Sequence, residues 1–110
     1  VITAIVQFKL PKGITRAAAT ALFESSAPKY RGVQGLVRKY YLFLADDTGG
    51  GLTGGGVYLW ESRAAAEKVY DGAWRKMIAD RYGSPPDIRF FETPVIVDNL
   101  TNEVMVEDAA

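Results

Sequence analysis

The chain has 110 residues, with 48% hydrophobic and 24% charged side chains, the composition of one ordinary globular domain and unlike that of disordered or collagen-like chains. Thirteen basic and thirteen acidic side chains cancel to a formal net charge of zero, so no global field draws the protein to nucleic acid or to an anionic membrane. Cysteine and histidine are both absent, which excludes disulfides, thiolate nucleophiles, Ser-His-Asp catalysis and the usual zinc and haem ligation, and leaves proton transfer to Asp, Glu, Lys, Tyr, Arg or water.

Val1 to Leu10 is rich in β-branched residues, and Ile2, Ala4, Val6 and Phe8 form an apolar face at period two, which predicts a first strand. Pro11 to Gly13 punctuate it. Thr15 is then placed to cap a helix from Arg16 to Ser26, closed by Pro28, with a narrow stripe through Ala18, Ala21, Leu22 and Ser25. Val33 to Leu44 predicts a long second strand, apolar on both parities: Val37, Lys39, Tyr41 and Phe43 on one, Leu36, Arg38, Tyr40, Leu42 and Leu44 on the other.

Asp46 to Gly56 reads as a long glycine-rich hairpin loop, and Val57 to Trp60 returns as a third strand. Ser62 caps a second helix that passes Asp71, kinks or breaks at Gly72 and continues to Tyr82. Its broad apolar face uses Ala65, Val69, Ala73 and Met77 together with Ala66, Tyr70, Trp74 and Ile78. Ile88 to Val97 predicts a fourth strand, in which Pro94 marks an edge position or a bulge. Glu103 to Val106 is either a short extra strand or an arm.

The order βαββαβ predicts an α+β, ferredoxin-like domain over residues 1–98, with an antiparallel sheet and two helices on one face, and a tail over residues 99–110. The second sheet face is then uncovered and apolar, which is unusual for a monomer and predicts a homodimer. No segment approaches the roughly 18 apolar residues of a membrane span, and the first residues read as a strand and not as a leader, so a cytoplasmic location without membrane attachment is expected.

Gly49, Gly51 and Gly54 have the spacing G-x-G-x-x-G, but a strand follows them where a dinucleotide fingerprint requires a helix, and no Gly-Lys-Ser/Thr completes a phosphate loop. An RNA-recognition motif shares the element order. Its third-strand signature, laid over Thr53 to Trp60, finds Thr53 in place of a basic residue, and Gly55 and Val57 in place of stacking aromatics. Nucleic acid is therefore not an expected partner.

The remaining candidates are aromatic and basic. Tyr41, Tyr58, Trp60, Tyr70, Trp74 and Phe91 can line a gap between sheet and helices that suits a flat organic ligand, or they can simply pack the core and a dimer seam. Lys39 lies between apolar neighbours in what reads as a central strand, so its amine either pairs with an anion or snorkels to the edge. Glu92, between Phe91 and Thr93, is either a solvated edge carboxylate or a base in the pocket. The carboxylates show no spacing that suggests a metal site.

Gly35-Leu36 followed by Lys39, and Gly55-Gly56-Val57-Tyr58-Leu59-Trp60-Glu61-Ser62 leading into an alanine-rich helix, resemble the YdhR-type monooxygenase-like proteins of the dimeric α/β-barrel superfamily, which includes the antibiotic-biosynthesis monooxygenases. The resemblance implies a ferredoxin-like protomer, a dimer that joins two sheets, and a pocket in each protomer. It also implies a cofactor-independent monooxygenase, without metal or flavin, for a small phenol- or quinol-type substrate. In that scheme Lys39 or Arg38 stabilises the phenolate, with Glu92 the further catalytic candidate, and Tyr58, Trp60, Tyr70 and Trp74 shape a dry slot to which Tyr41 and Phe91 add. The haem-degrading branch loses its support because no histidine is present. Two alternatives stand beside the monooxygenase: a non-catalytic homodimer that binds a small hydrophobic ligand, and an isomerase or lyase with Glu92 or Tyr58 as proton carrier.

Overall fold

A computed structural model describes residues 1–45 and 52–107. Four strands, β1 (Ile2–Lys9), β2 (Leu36–Ala45), β3 (Leu52–Trp60) and β4 (Asp87–Glu92), form one antiparallel sheet in the order β2-β3-β1-β4. Three helices, α1 (Arg16–Tyr30), α2 (Arg63–Val69) and α3 (Gly72–Tyr82), pack on one face, and β5 (Val95–Asp98) pairs with β6 (Glu103–Val106) as a separate hairpin. The arrangement is α+β and ferredoxin-like. No helix among the described residues is long and apolar enough to cross a membrane.

The period-two face of β1 behaves as its sequence dictates: Ala4, Val6 and Phe8 are buried against the helices. Thr15 Oγ1 accepts from Ala18 N and Ser62 Oγ from Ala65 N, so both helix starts fall where the capping residues place them. Several other expectations are corrected. Helix α1 runs through Pro28 to Tyr30, because a proline in the last turn forfeits a single backbone N–H and Arg31 N still closes the helix on Ala27 O. Its buried residues are Ala19, Phe23 and Ser26, one position away from the predicted stripe, because the large ring of Phe23 decides which side faces the sheet. The break expected at Gly72, by contrast, is present and divides the second helix in two. Asp71 Oδ1 accepts from Trp74 N at 2.8 Å and starts α3 afresh after Tyr70.

The predicted loop over Asp46 to Gly56 is also shorter than expected. Residues 52–56 belong to β3, while Gly49, Gly51, Asp46 and Asp47 lie outside the described residues. Gly54, Gly55 and Gly56 pair with Phe8, Gln7 and Val6 on one side and with Phe43, Leu42 and Tyr41 on the other. The single predicted fourth strand is broken at Thr93-Pro94 into β4, an edge strand, and β5. Residues 99–102 turn the β5–β6 hairpin, with Asp98 Oδ1 accepting from Leu100 N at 2.9 Å and Asn102 at φ 58°.

Strand β2 is an edge strand rather than a central one. Leu36 pairs with Trp60 and Arg38 with Leu59, so Val37 is an extra residue in the ladder. This bulge switches the parity of the strand. Leu36, Lys39, Tyr41 and Phe43 share the register of the inward residues Trp60, Tyr58, Gly56 and Gly54, whereas Arg38, Tyr40, Leu42 and Leu44 face away from the helices. On that outer face Tyr40, Leu42, Leu44 and Phe91 are exposed. The β5–β6 hairpin lies against one end of it, enclosing gaps lined by Val37, Leu59, Ile96 and Met105.

Candidate functional site

The side chains that converge do so where the end of α1 meets β2 and β3. The Lys39 ammonium lies over three tyrosine rings, 3.3 Å from the centroid of Tyr30, 3.8 Å from that of Tyr41 and 4.5 Å from that of Tyr58. Gly56, the residue paired with Tyr41, makes this possible: a Cβ there would lie 3.0 Å from Tyr58 Cε1 and 3.4 Å from Lys39 Cε. The rings are held in turn. Tyr30 Oη accepts from Trp74 Nε1 at 3.0 Å, Tyr41 Oη is 2.7 Å from Ser26 Oγ, and Tyr70 Oη accepts from Trp60 Nε1 at 3.0 Å.

Burial lowers the Lys39 amine from its ordinary 10.5 to about 7. The ring faces offset part of that penalty by attracting the charged form. Burial pushes the Tyr58 hydroxyl, and to a smaller extent the Tyr70 hydroxyl, far above the ordinary phenol range, so both are proton donors and not bases near neutrality. Below pH 7 the folded protein carries a buried charge on Lys39 that the unfolded chain holds in water. Between pH 7 and 10.5 the unfolded chain binds more protons at this residue, so the contribution of Lys39 to stability rises with pH across that window. Lys39→Met, an apolar replacement of similar length, removes this dependence. Its stability relative to wild type is expected to fall by roughly 1 kcal/mol per unit between pH 7 and pH 9, read from urea unfolding at the two pH values; parallel curves overturn it.

Lys39 lines a cleft of about 270 Å³, with Tyr30, Arg31, Leu36, Arg38 and Tyr41 and with no carboxylate among the described residues. The gap between sheet and helices beyond it, reaching Tyr58, Ile78 and Tyr82, has about 10 Å³ of free volume, at the limit for one water molecule. Phe8, Tyr58 and Tyr82 close that gap with their rings, and Trp60, Tyr70 and Trp74 fill the core beside it.

The structure therefore brings Lys39, Tyr41 and Tyr58 into one cluster, joined by Trp74 through Tyr30 and by Trp60 and Tyr70 through contact with Tyr58. Arg38 is on the opposite sheet face, where its Nη1 donates to Tyr40 Oη at 3.1 Å, and reaches only the rim of the cleft. Phe91 is 47% exposed on the outer face, away from Lys39. Glu92 ends β4 opposite Ile2, at the far edge of the sheet from β2, and is exposed. Tyr30 was not anticipated as a site residue. It continues the spacing Ala19, Phe23, Ser26 and becomes visible once α1 is carried through Pro28. Among the described residues no group of three His, Cys, Asp or Glu side chains could hold a metal ion.

Architecture and site together define a ferredoxin-like α+β domain with an aromatic-lined cleft containing a half-buried lysine. Protein NE2512 of Nitrosomonas europaea, of unknown function, shares this fold with a TM-score of 0.62 and 20% identity over 84% of this chain and 87% of its own. The cofactor-independent oxygenase SnoaB of Streptomyces nogalater is similar at TM-score 0.56 and 15% identity, over 84% and 91%. A protein of the ethyl tert-butyl ether D family from Bacillus halodurans is similar at TM-score 0.56 and 13% identity, over 84% and 99%. No protein-family profile matches the chain, and no curated protein does.

Proposed function

We propose that this protein is a cofactor-independent monooxygenase acting on a small phenol- or quinol-type substrate bound against Lys39. The observation that carries this reading is Lys39, on the wall of a cleft, its amine set against three tyrosine rings with no carboxylate partner among the described residues. In its charged form the amine attracts a phenolate and lowers the cost of forming it. The substrate anion then reduces dioxygen, with one oxygen atom entering the product and the other leaving as water. The likeness to SnoaB supports the same reading. Oxygen uptake by the purified protein against hydroxylated naphthalenes, anthrones and simple quinols, corrected for autoxidation, is the test. Protein-dependent uptake reduced at least about tenfold in Lys39→Met is expected, the loss of at least about 1.4 kcal/mol of transition-state stabilisation; uptake unchanged in that variant overturns the role of Lys39.

The second reading is a non-catalytic small-ligand-binding protein. The filled interior favours it, since a free volume of about 10 Å³ between sheet and helices admits no aromatic ring. A ligand recovered unchanged from the cleft would select it. An isomerase or lyase using Glu92 or Tyr58 has less support: Glu92 is exposed at the far edge, and Tyr58 can donate a proton but holds it too tightly to accept one first.

In this proposal the working form is a homodimer in which the outer sheet face covers that of a second copy. Tyr40, Leu42, Leu44 and Phe91 lie exposed there, and the apolar residues of β5 and β6 add to them. Light scattering on a sizing column should give twice the chain mass for wild type and the single-chain mass for Leu42→Glu. A wild-type monomer at micromolar concentration overturns the assignment.

A further inference from the structure

Lys39 differs from an ordinary structural lysine in three respects. It has no carboxylate partner among the described residues, its Nζ sits among ring faces instead of water, and it lies on the wall of a cleft and not in a sealed core. Arg31 lines the same cleft and Arg38 stands at its rim, and no Asp or Glu among the described residues lines it. We propose that Lys39 is a carbonyl-binding amine that forms a reversible imine with a small aromatic aldehyde or ketone bearing an anionic group, which the positive charge of Arg31 on the cleft and Arg38 at its rim attracts.

The chemistry needs no group beyond those present. The Nζ lone pair adds to the carbonyl carbon, the carbonyl π electrons move to oxygen, and a proton passes from nitrogen to oxygen to give a carbinolamine. Loss of water leaves the C=N bond, and hydrolysis returns both partners, so nothing is oxidised or reduced. Burial favours this exchange, because desolvation penalises an ammonium more than a neutral imine, a penalty that the ring faces offset only in part. Burial pushes the Tyr41 phenol up, so Tyr41, which lines the cleft, is the proton donor for the departing oxygen. Around Lys39 stand the phenols of Tyr30, Tyr41 and Tyr58, with Arg31 and the rim residue Arg38 on the cleft and Arg81 and Tyr82 on the narrow gap behind it, and no Asp or Glu among the described residues lines either space. The inference is independent of oxygen chemistry, so its outcome and that of the oxygen-uptake test can differ.

The test is reductive trapping of the intact protein with 4-formylbenzoate and cyanoborohydride at pH 7, with the modified lysines located by peptide mass spectrometry. About half of an amine that titrates near 7 is neutral at that pH, against about one in three thousand for an unperturbed lysine. Lys39 is therefore expected to be labelled at least about tenfold faster than the exposed Lys12 and Lys29, which serve as references in the same molecule. Benzaldehyde, which lacks the carboxylate, should label it more slowly, and Lys39→Arg should lose only this site. Labelling of Lys39 no faster than Lys12 overturns the proposal, and equal rates with the two aldehydes overturn the role given to Arg31 and Arg38.

Discussion

Gly55→Ala is expected to destabilise the protein by about 4 kcal/mol or more, the range that marks a backbone clash and not a lost contact. A Cβ built on Gly55 would lie 1.9 Å from the carbonyl oxygen of Val6 and 2.9 Å from its carbonyl carbon, and the residue has φ 157°. The clash is with backbone in the middle of the sheet, where β3 is paired on both sides, to Gln7 and to Leu42. Neither neighbour can move without breaking its own ladder. Gly54→Ala is the internal comparison: its Cβ would meet side-chain atoms of Leu10 and Phe8 at 3.0 Å, which rotate or shift at a cost of about 1–3 kcal/mol. Thermal unfolding reads both, since about 1 kcal/mol moves the midpoint of a domain this size by roughly 4–8 °C. Equal midpoints for the two variants would contradict the pairing of Gly55 with Gln7.

The second large effect is at Trp60. Its side chain is fully buried, stacks on Tyr58 with ring centroids 6.1 Å apart and meets Tyr70 edge-on at 5.7 Å. Trp60→Ala should cost about 3–5 kcal/mol from lost apolar burial and the cavity left behind. Of the 5–15 kcal/mol typical of a whole domain, that is a large part. Trp60→Phe keeps much of the ring but removes the Nε1 donor to Tyr70 Oη, so it should cost about 1–3 kcal/mol for an orphaned buried hydroxyl. The two variants separate volume from hydrogen bonding. Urea unfolding with unchanged slopes is the measurement, and a Trp60→Ala midpoint equal to wild type would place this ring outside the core.

These two positions bear on the site differently. Gly55 and Gly56 let β3 approach its neighbours closely enough for Lys39 and Tyr58 to share one space, whereas Trp60 fixes the position of Tyr70 and supports Tyr58. Tyr30 depends on Trp74 in the same way, through the indole N–H that holds its hydroxyl. The cluster around Lys39 is thus kept in place by partners that do not face the cleft themselves.

Local chemistry by itself determined the first strand, the two capped helix starts, the order βαββαβ and the exceptional character of Lys39. Each rests on interactions within a few residues, a period-two face on β1, a hydroxyl reaching an N–H three residues on at Thr15 and Ser62, or a charge among apolar neighbours. The absence of histidine and cysteine also narrowed the chemistry before any fold was considered. The tertiary structure decided which faces meet. Periodicity reveals that β2 has two sides but not which one the helices cover, and the extra residue at Val37 reverses parity midway, which parts Val37 from Lys39 and Tyr41 and brings Leu36 to their side. Phe91 and Glu92 lost their place beside Lys39 because β4 pairs at the opposite edge of the sheet from β2. Tyr30 gained one because tertiary packing of Phe23 and Ser26 carries α1 past a proline whose local signal is to stop.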